Sequence, residues 1–181
     1  MTLIAPAGAL IAWVGAALLV VSTGRRGTAL ALLLAAGGGA LTLSGSDPWA
    51  AGGLAVGGLV AGTIRLGDGE EGWGILQAGS APAVILAVVV GVVGAWVATS
   101  VLTGPGTWPV RFAALVVIAL GTTRLITTHT LAPAVGAAAS LALGIGLAAG
   151  AGGGGQTLLV TASGMVAVLV AIAGRLRSEP A

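Results

Sequence analysis

Seven apolar runs follow one another along this chain, separated by glycine, proline or charge. They fall at roughly 2–22, 28–44, 50–66, 78–102, 110–126, 132–150 and 157–174, against the 17 to 25 residues that a spanning helix needs. None of them alternates with a period of two, as a barrel strand would. Helices are therefore the expected form, because hydrocarbon requires every backbone N–H and C=O to be paired within its own segment. The third and sixth runs consist mostly of Ala and Gly, so their insertion is expected to depend on shelter by neighbouring helices. The start, Met1-Thr2-Leu3-Ile4, carries no positive charge, and the first run is expected to be retained as a span rather than cleaved. The predicted fold is thus a single all-α polytopic domain over residues 1–181.

Arginine placement assigns the sides. With seven spans and an external N-terminus, Arg25, Arg26, Arg65, Arg124, Arg175 and Arg177 fall at cytoplasmic ends, and Arg111 alone falls outside. That asymmetry is the one the positive-inside rule predicts. Trp49 and Trp108 then lie at the outer boundary and Trp73 at the inner one, where amphipathic rings prefer to sit.

Composition agrees with a lipid environment. Hydrophobic residues make up 57% of the chain and charged residues 7%, where a soluble domain carries about 25% charge. Mean hydropathy is +1.11. Low net charge with high hydrophobicity also excludes intrinsic disorder. A formal charge of +2 is too small for a nucleic-acid footprint. The predicted location is the cell (inner) membrane, with the bilayer as first partner.

Two ungapped shifts suggest a tandem helical-hairpin repeat. A shift of 59 positions carries Asp47-Pro48-Trp49 and Thr63-Ile64-Arg65-Leu66 onto Gly106-Thr107-Trp108 and Thr122-Thr123-Arg124-Leu125. A shift of 51 carries Ala81-Pro82-Ala83-Val84 onto Ala132-Pro133-Ala134-Val135 and Arg124-Leu125 onto Arg175-Leu176.

Small residues recur every four positions, which places them on one helical face. Gly53/Gly57 and Gly58/Gly62 form overlapping GxxxG steps. Gly91 extends a face with Ala83, Ala87 and Ala95, and Gly136 and Gly144 share a face with Ser140 and Ala148. Lipid tails are as apolar as leucine, so such faces associate through close backbone approach. They serve either packing within the chain or an interface with a second copy or another membrane protein.

The chemistry is sparse. Absence of lysine removes a retinal Schiff base, a phosphate-binding P-loop and a pyridoxal site. One histidine and no cysteine exclude an HExxH zinc site, bis-histidine haem within one chain and thiolate metal sites. No cofactor and no resident metal is expected. The acids Asp47, Asp68, Glu70, Glu71 and Glu179 all fall outside the runs, whereas pumps place ionisable groups at membrane depth.

Three leads remain. Arg65, Arg124 and Arg175 end three helices on the same side, where guanidiniums contact anions or lipid phosphates; topology anchoring by outward-reaching side chains accounts equally for the positions. Asp68, Glu70 and Glu71 share a side with His129, a weak cation or protonic arrangement that matches no known metal loop. Thr63, Thr122 and Thr123, with Ser140, Thr161 and Ser163, either line a narrow polar path or bond back to their own helices. The functional expectation is a non-catalytic scaffold or accessory subunit of a membrane assembly. The alternative is a small permease or channel for an uncharged or anionic solute.

Overall fold

The computed structural model describes residues 3–67, 73–74, 81–102, 106–129, 131–152 and 156–178. Among them every regular element is helical. Seven long helices follow in order: α1 (Ile4–Val21), α2 (Arg25–Leu43), α3 (Pro48–Gly67), α4 (Ala81–Trp96), α5 (Trp108–Thr127), α6 (Leu131–Ala151) and α7 (Thr157–Ser178). A single π-helical turn, Val97–Val101, extends α4. Six of these helices are long and apolar enough to cross a membrane, and the seventh contains a further apolar stretch over Thr157–Ala173. The protein is therefore of the all-α membrane class. The Ala/Gly-rich third and sixth runs form full helices.

Local chemistry sets the breaks. Ser22 and Gly24 are extended and separate α1 from α2. Asp47 starts α3 by accepting the Ala50 N–H at 3.0 Å, which satisfies one of the orphan donors of the first turn. Pro48 follows at the first helical position, where its missing N–H costs nothing. Pro109 occupies the same kind of position in α5.

The seven helices alternate in direction. Gly15 lies against Ala31 and Ala35, and Gly8 against Gly38, so α1 and α2 are antiparallel. Gly58 against Ala36 and Gly62 against Ala29 give the same relation for α2 and α3; Gly121 against Ser140 and Gly144 against Ile118 give it for α5 and α6. Across the bundle the sense reverses. Gly53 faces Thr161 and Gly57 faces Gly164, so α3 runs parallel to α7. Gly39 against Leu147 and Thr28 against Gly136 make α2 parallel to α6.

The result is a closed ring of neighbours, α1–α2–α3–α7–α6–α5 and back to α1. One half is α1 to α3, the other α5 to α7, and like helices face like across their seam. Helix α4 stands outside, touching only α1 and α5 among the helices. Its most apolar window is 17% buried, against 67% for α2. Trp13 fastens it: the indole Nε1–H donates to the Ala87 carbonyl at 3.0 Å, and Gly91 leaves room for the ring. The shifts of 59 and 51 pair α3 with α5, α4 with α6 and α5 with α7. None of those pairs is in contact among the described residues.

Alternation gives the bundle two unlike ends. The backbone positions of Arg25, Arg26, Arg65, Arg124, Arg175 and Arg177 gather at one, the arginine end. Ser44, Ser46, Asp47, Thr107, Arg111 and Thr157 mark the other, the hydroxyl end. Between them lies a mainly apolar core whose largest fully buried side chains include Leu32, Leu54, Leu120, Leu143, Leu147 and Val117.

Candidate functional site

At the hydroxyl end a cavity of about 590 Å³ opens between the two halves. Helix α1 contributes Ile4 and Ala5, α2 contributes Leu41 and Thr42, and α5 contributes Val110. The turn Ser44-Gly45-Ser46, with Gly106, Thr107 and Gly150, forms the rim. The turn exists because Ser46 and Asp47 N–H groups both fold back onto the Leu43 carbonyl, ending α2. Each lining serine or α2 threonine hydroxyl donates to its own helix: Thr42 to Gly39 at 2.6 Å, Ser44 to Leu41 at 2.9 Å and Ser46 to Leu43 at 3.2 Å. Their oxygen lone pairs are thereby left for the cavity. The Thr107 hydroxyl makes no cap bond to α5. Among the described residues no lining side chain is charged.

Beside this vestibule Asp47 ties the halves together. Its second carboxylate oxygen accepts the Thr157 hydroxyl at 2.6 Å, so the starts of α3 and α7 are joined across 110 residues of sequence. That bond, and then the Ala50 N–H, hold the Asp47 carboxyl below its ordinary pKa, because both stabilise the charged form.

At the arginine end the predicted residues have separate surroundings. Arg124 donates to the Val20 carbonyl at 3.3 Å and the Ser22 carbonyl at 2.8 Å. These are orphan acceptors at the end of α1, where the helix dipole is negative. Arg65 is 3% exposed on α3, and α3 does not touch α5. The structure therefore does not bring Arg65 and Arg124 together through a shared helix contact, and the Arg175 side chain lies outside the described residues. So do Asp68, Glu70 and Glu71; His129 is exposed. Arg111 donates to the Leu102 carbonyl just after the π turn.

The threonines sit on two separate helices. Thr63 and Thr122 are exposed on helices that do not meet. Thr63 bonds back to Val60 and Thr123 to Ala119, each at 2.9 Å. Ser140 and Ser163 are buried and do the same, to Ala137 at 2.9 Å and Val160 at 2.6 Å.

The small-residue positions lie at helix seams. A Cβ on Gly53 would meet Thr161, on Gly57 Gly164, on Gly58 Ala36, on Gly62 Leu33, on Gly91 Trp13, on Gly136 Thr28 and on Gly144 Ile118. Three other helical glycines differ, Gly67 at the end of α3 and two within the bundle. Gly37 and Gly52 have nothing within 4 Å, and they line an open apolar groove of about 530 Å³ between α1, α2 and α3.

Sequence reasoning passed over Trp13, the Asp47–Thr157 tie and the vestibule. The signal for Asp47 was present as an Asp-Pro pair ahead of an apolar run, which marks a helix start. Trp13 and the vestibule depend on which helices become neighbours.

These features define an all-α membrane protein with a hydroxyl-bearing, mainly apolar vestibule at one end and a closely packed, mainly apolar interior. No protein-family model, curated protein or solved structure matches the chain.

Proposed function

We propose that this protein is a non-catalytic scaffold or accessory component of a membrane assembly, with all seven helices crossing the cell (inner) membrane, the N-terminus outside and the C-terminus in the cytoplasm. Six arginine positions at one end of the bundle and one at the other support that orientation. Reporter fusions at residue 26 and at the C-terminus are expected to read cytoplasmic, and a fusion at residue 47 external. Chain ends on one side would overturn it.

The observation that carries the scaffold reading is the closed, mainly apolar core. Fully buried Leu and Val close the middle of the bundle, and the hydroxyls of Ser140 and Ser163 are buried against their own helices, to which they donate. Among the described residues such an interior offers a solute few polar contacts and a substrate no acid and base held in mutual geometry. The groove at Gly37 and Gly52 supplies the small-residue surface on which another membrane helix packs closely. The test is native mass analysis after gentle extraction from the source membrane. A defined complex is expected, lost in Gly37→Trp and Gly52→Trp variants that keep their thermal stability. Recovery of the wild type only as free chain would overturn the reading.

A second reading, a small permease or channel for an uncharged or anionic solute, is favoured by one observation: a cavity opens at one end of the bundle between α1, α2 and α5. The uncharged lining favours a neutral solute.

A further inference from the structure

We propose that the vestibule at the hydroxyl end is a binding site for a small, uncharged polyhydroxyl ligand. This goes beyond the scaffold reading and names a ligand class for the permease reading, yet it requires only binding and does not rest on transport. Its volume of about 590 Å³ lies within the roughly 300–1,000 Å³ of small-molecule sites. It is also placed where such sites occur in helical bundles, between the helices of two packed halves.

The lining selects the chemistry. Among the described residues no charged side chain lines the cavity, so an ionic ligand would find no counter-charge there to offset its lost hydration. The nearest carboxylate, Asp47, is already committed to Thr157 and to the Ala50 N–H. Thr42, Ser44 and Ser46 direct their protons at the carbonyls of Gly39, Leu41 and Leu43, which turns each hydroxyl into an acceptor toward the cavity. A ligand must therefore bring donors. Thr107, whose hydroxyl makes no cap bond, adds a group that can donate or accept. A ligand hydroxyl both donates and accepts, so several on one small skeleton match this mixture. The apolar wall of Ile4, Leu41 and Val110 suits the carbon face of such a skeleton.

Free polyols and the sugar headgroup of a glycolipid share this chemistry. Two arms separate them, both on the full chain in nanodiscs. In the first, labelled sorbitol is titrated in phosphatidylcholine discs. In the second, sorbitol is displaced by discs containing glucosyl diacylglycerol. Saturable sorbitol binding is expected, unaffected by excess inorganic phosphate and weakened at least tenfold by Gly45→Phe. Gly45 lines the vestibule and a Cβ there has nothing within 4 Å, so a bulky side chain is accommodated without striking the helices. Displacement in the second arm assigns the natural source to lipid, and its absence to a free polyol; both outcomes keep the site. Ser46→Ala and Thr107→Val give a milder loss and stand in if Gly45→Phe does not fold. Saturable binding of neither probe overturns the proposal, as does binding that survives all three substitutions. Flux across liposomes is read separately, so binding without uptake sinks the permease reading and leaves the site standing.

Discussion

Gly38→Ala is expected to destabilise the protein severely, while Gly37→Ala, one residue away on the same helix, is tolerated. A Cβ at position 38 would lie 2.3 Å from the Ala12 backbone nitrogen and 2.5 Å from the Gly8 carbonyl oxygen. Both obstacles are backbone, so no rotamer change relieves them and α1 must move away from α2. The seam is reciprocal: a Cβ on Gly15 would come within 2.3 Å of the Ala35 nitrogen. Overpacking usually costs about 1–3 kcal/mol, and this case belongs at or above the upper end because two helices must part along a shared seam. Position 37 is half-buried with open space beside it, and replacing a helical glycine by alanine where a Cβ fits is neutral or stabilising by up to about 1 kcal/mol. Thermal-aggregation midpoints in mild detergent provide the comparison. Equal midpoints for the two variants would show that α1 and α2 do not approach this closely.

Gly57→Leu is expected to harm the protein more than Leu54→Ala, although the second deletes most of a fully buried side chain. Gly57 lies on the α3–α7 seam that joins the two halves. Its Cβ would stand 2.6 Å from the Gly164 Cα, and a Cβ on Gly164 would meet the Gly53 carbonyl at 2.9 Å. A leucine there forces apart helices that touch through their backbones, which removes the dispersion contacts and local polar bonds on which association in lipid depends. Leu54 is 0% exposed, and its truncation leaves a void. Losses of about 2–5 kcal/mol follow such truncations in soluble cores. In a bilayer the dissociated helix exposes leucine to lipid rather than water, so the transfer part of that cost largely vanishes. The same aggregation assay, with the detergent-resistant monomer fraction as second readout, orders the variants. A Leu54→Ala chain less stable than Gly57→Leu would place α3 in a different packing arrangement.

Much of the architecture is legible in one dimension because the bilayer simplifies the problem. Backbone pairing in hydrocarbon forces apolar runs of this length into helices, and all seven runs correspond to helices in the structure. Boundaries shifted where local chemistry outweighed hydropathy. Helix α2 begins at Arg25 rather than near residue 28, because helix geometry tolerates charge in a first turn that hydropathy rejects. The fourth run becomes an α-helix followed by a π turn, with Thr99 bonding back to Ala95 at 2.8 Å. Apolar content alone carries no record of such a change in hydrogen-bond register.

The sites were much less legible. Arg65, Arg124 and Arg175 look equivalent in the sequence, each ending a helix in Arg-Leu. In space Arg124 serves the carbonyls that end α1, and Arg65 is buried on a helix that does not reach it. The GxxxG steps likewise name a face but no partner. Gly53 and Gly57 turn toward α7 while Gly58 and Gly62 turn toward α2.

The sequence by itself determined the solvent, the helical form, the number of runs and the bias of arginine to one side, because each follows from local hydropathy and backbone hydrogen bonding. Tertiary structure alone decided that α1–α3 and α5–α7 form facing parallel halves, that α4 stands outside, and that a hydroxyl-bearing vestibule opens beside the Asp47–Thr157 tie. In lipid almost any apolar helix can lie beside another at similar cost. The choice then rests on where glycine lets two backbones meet, and that complementarity exists only between helices, never along one.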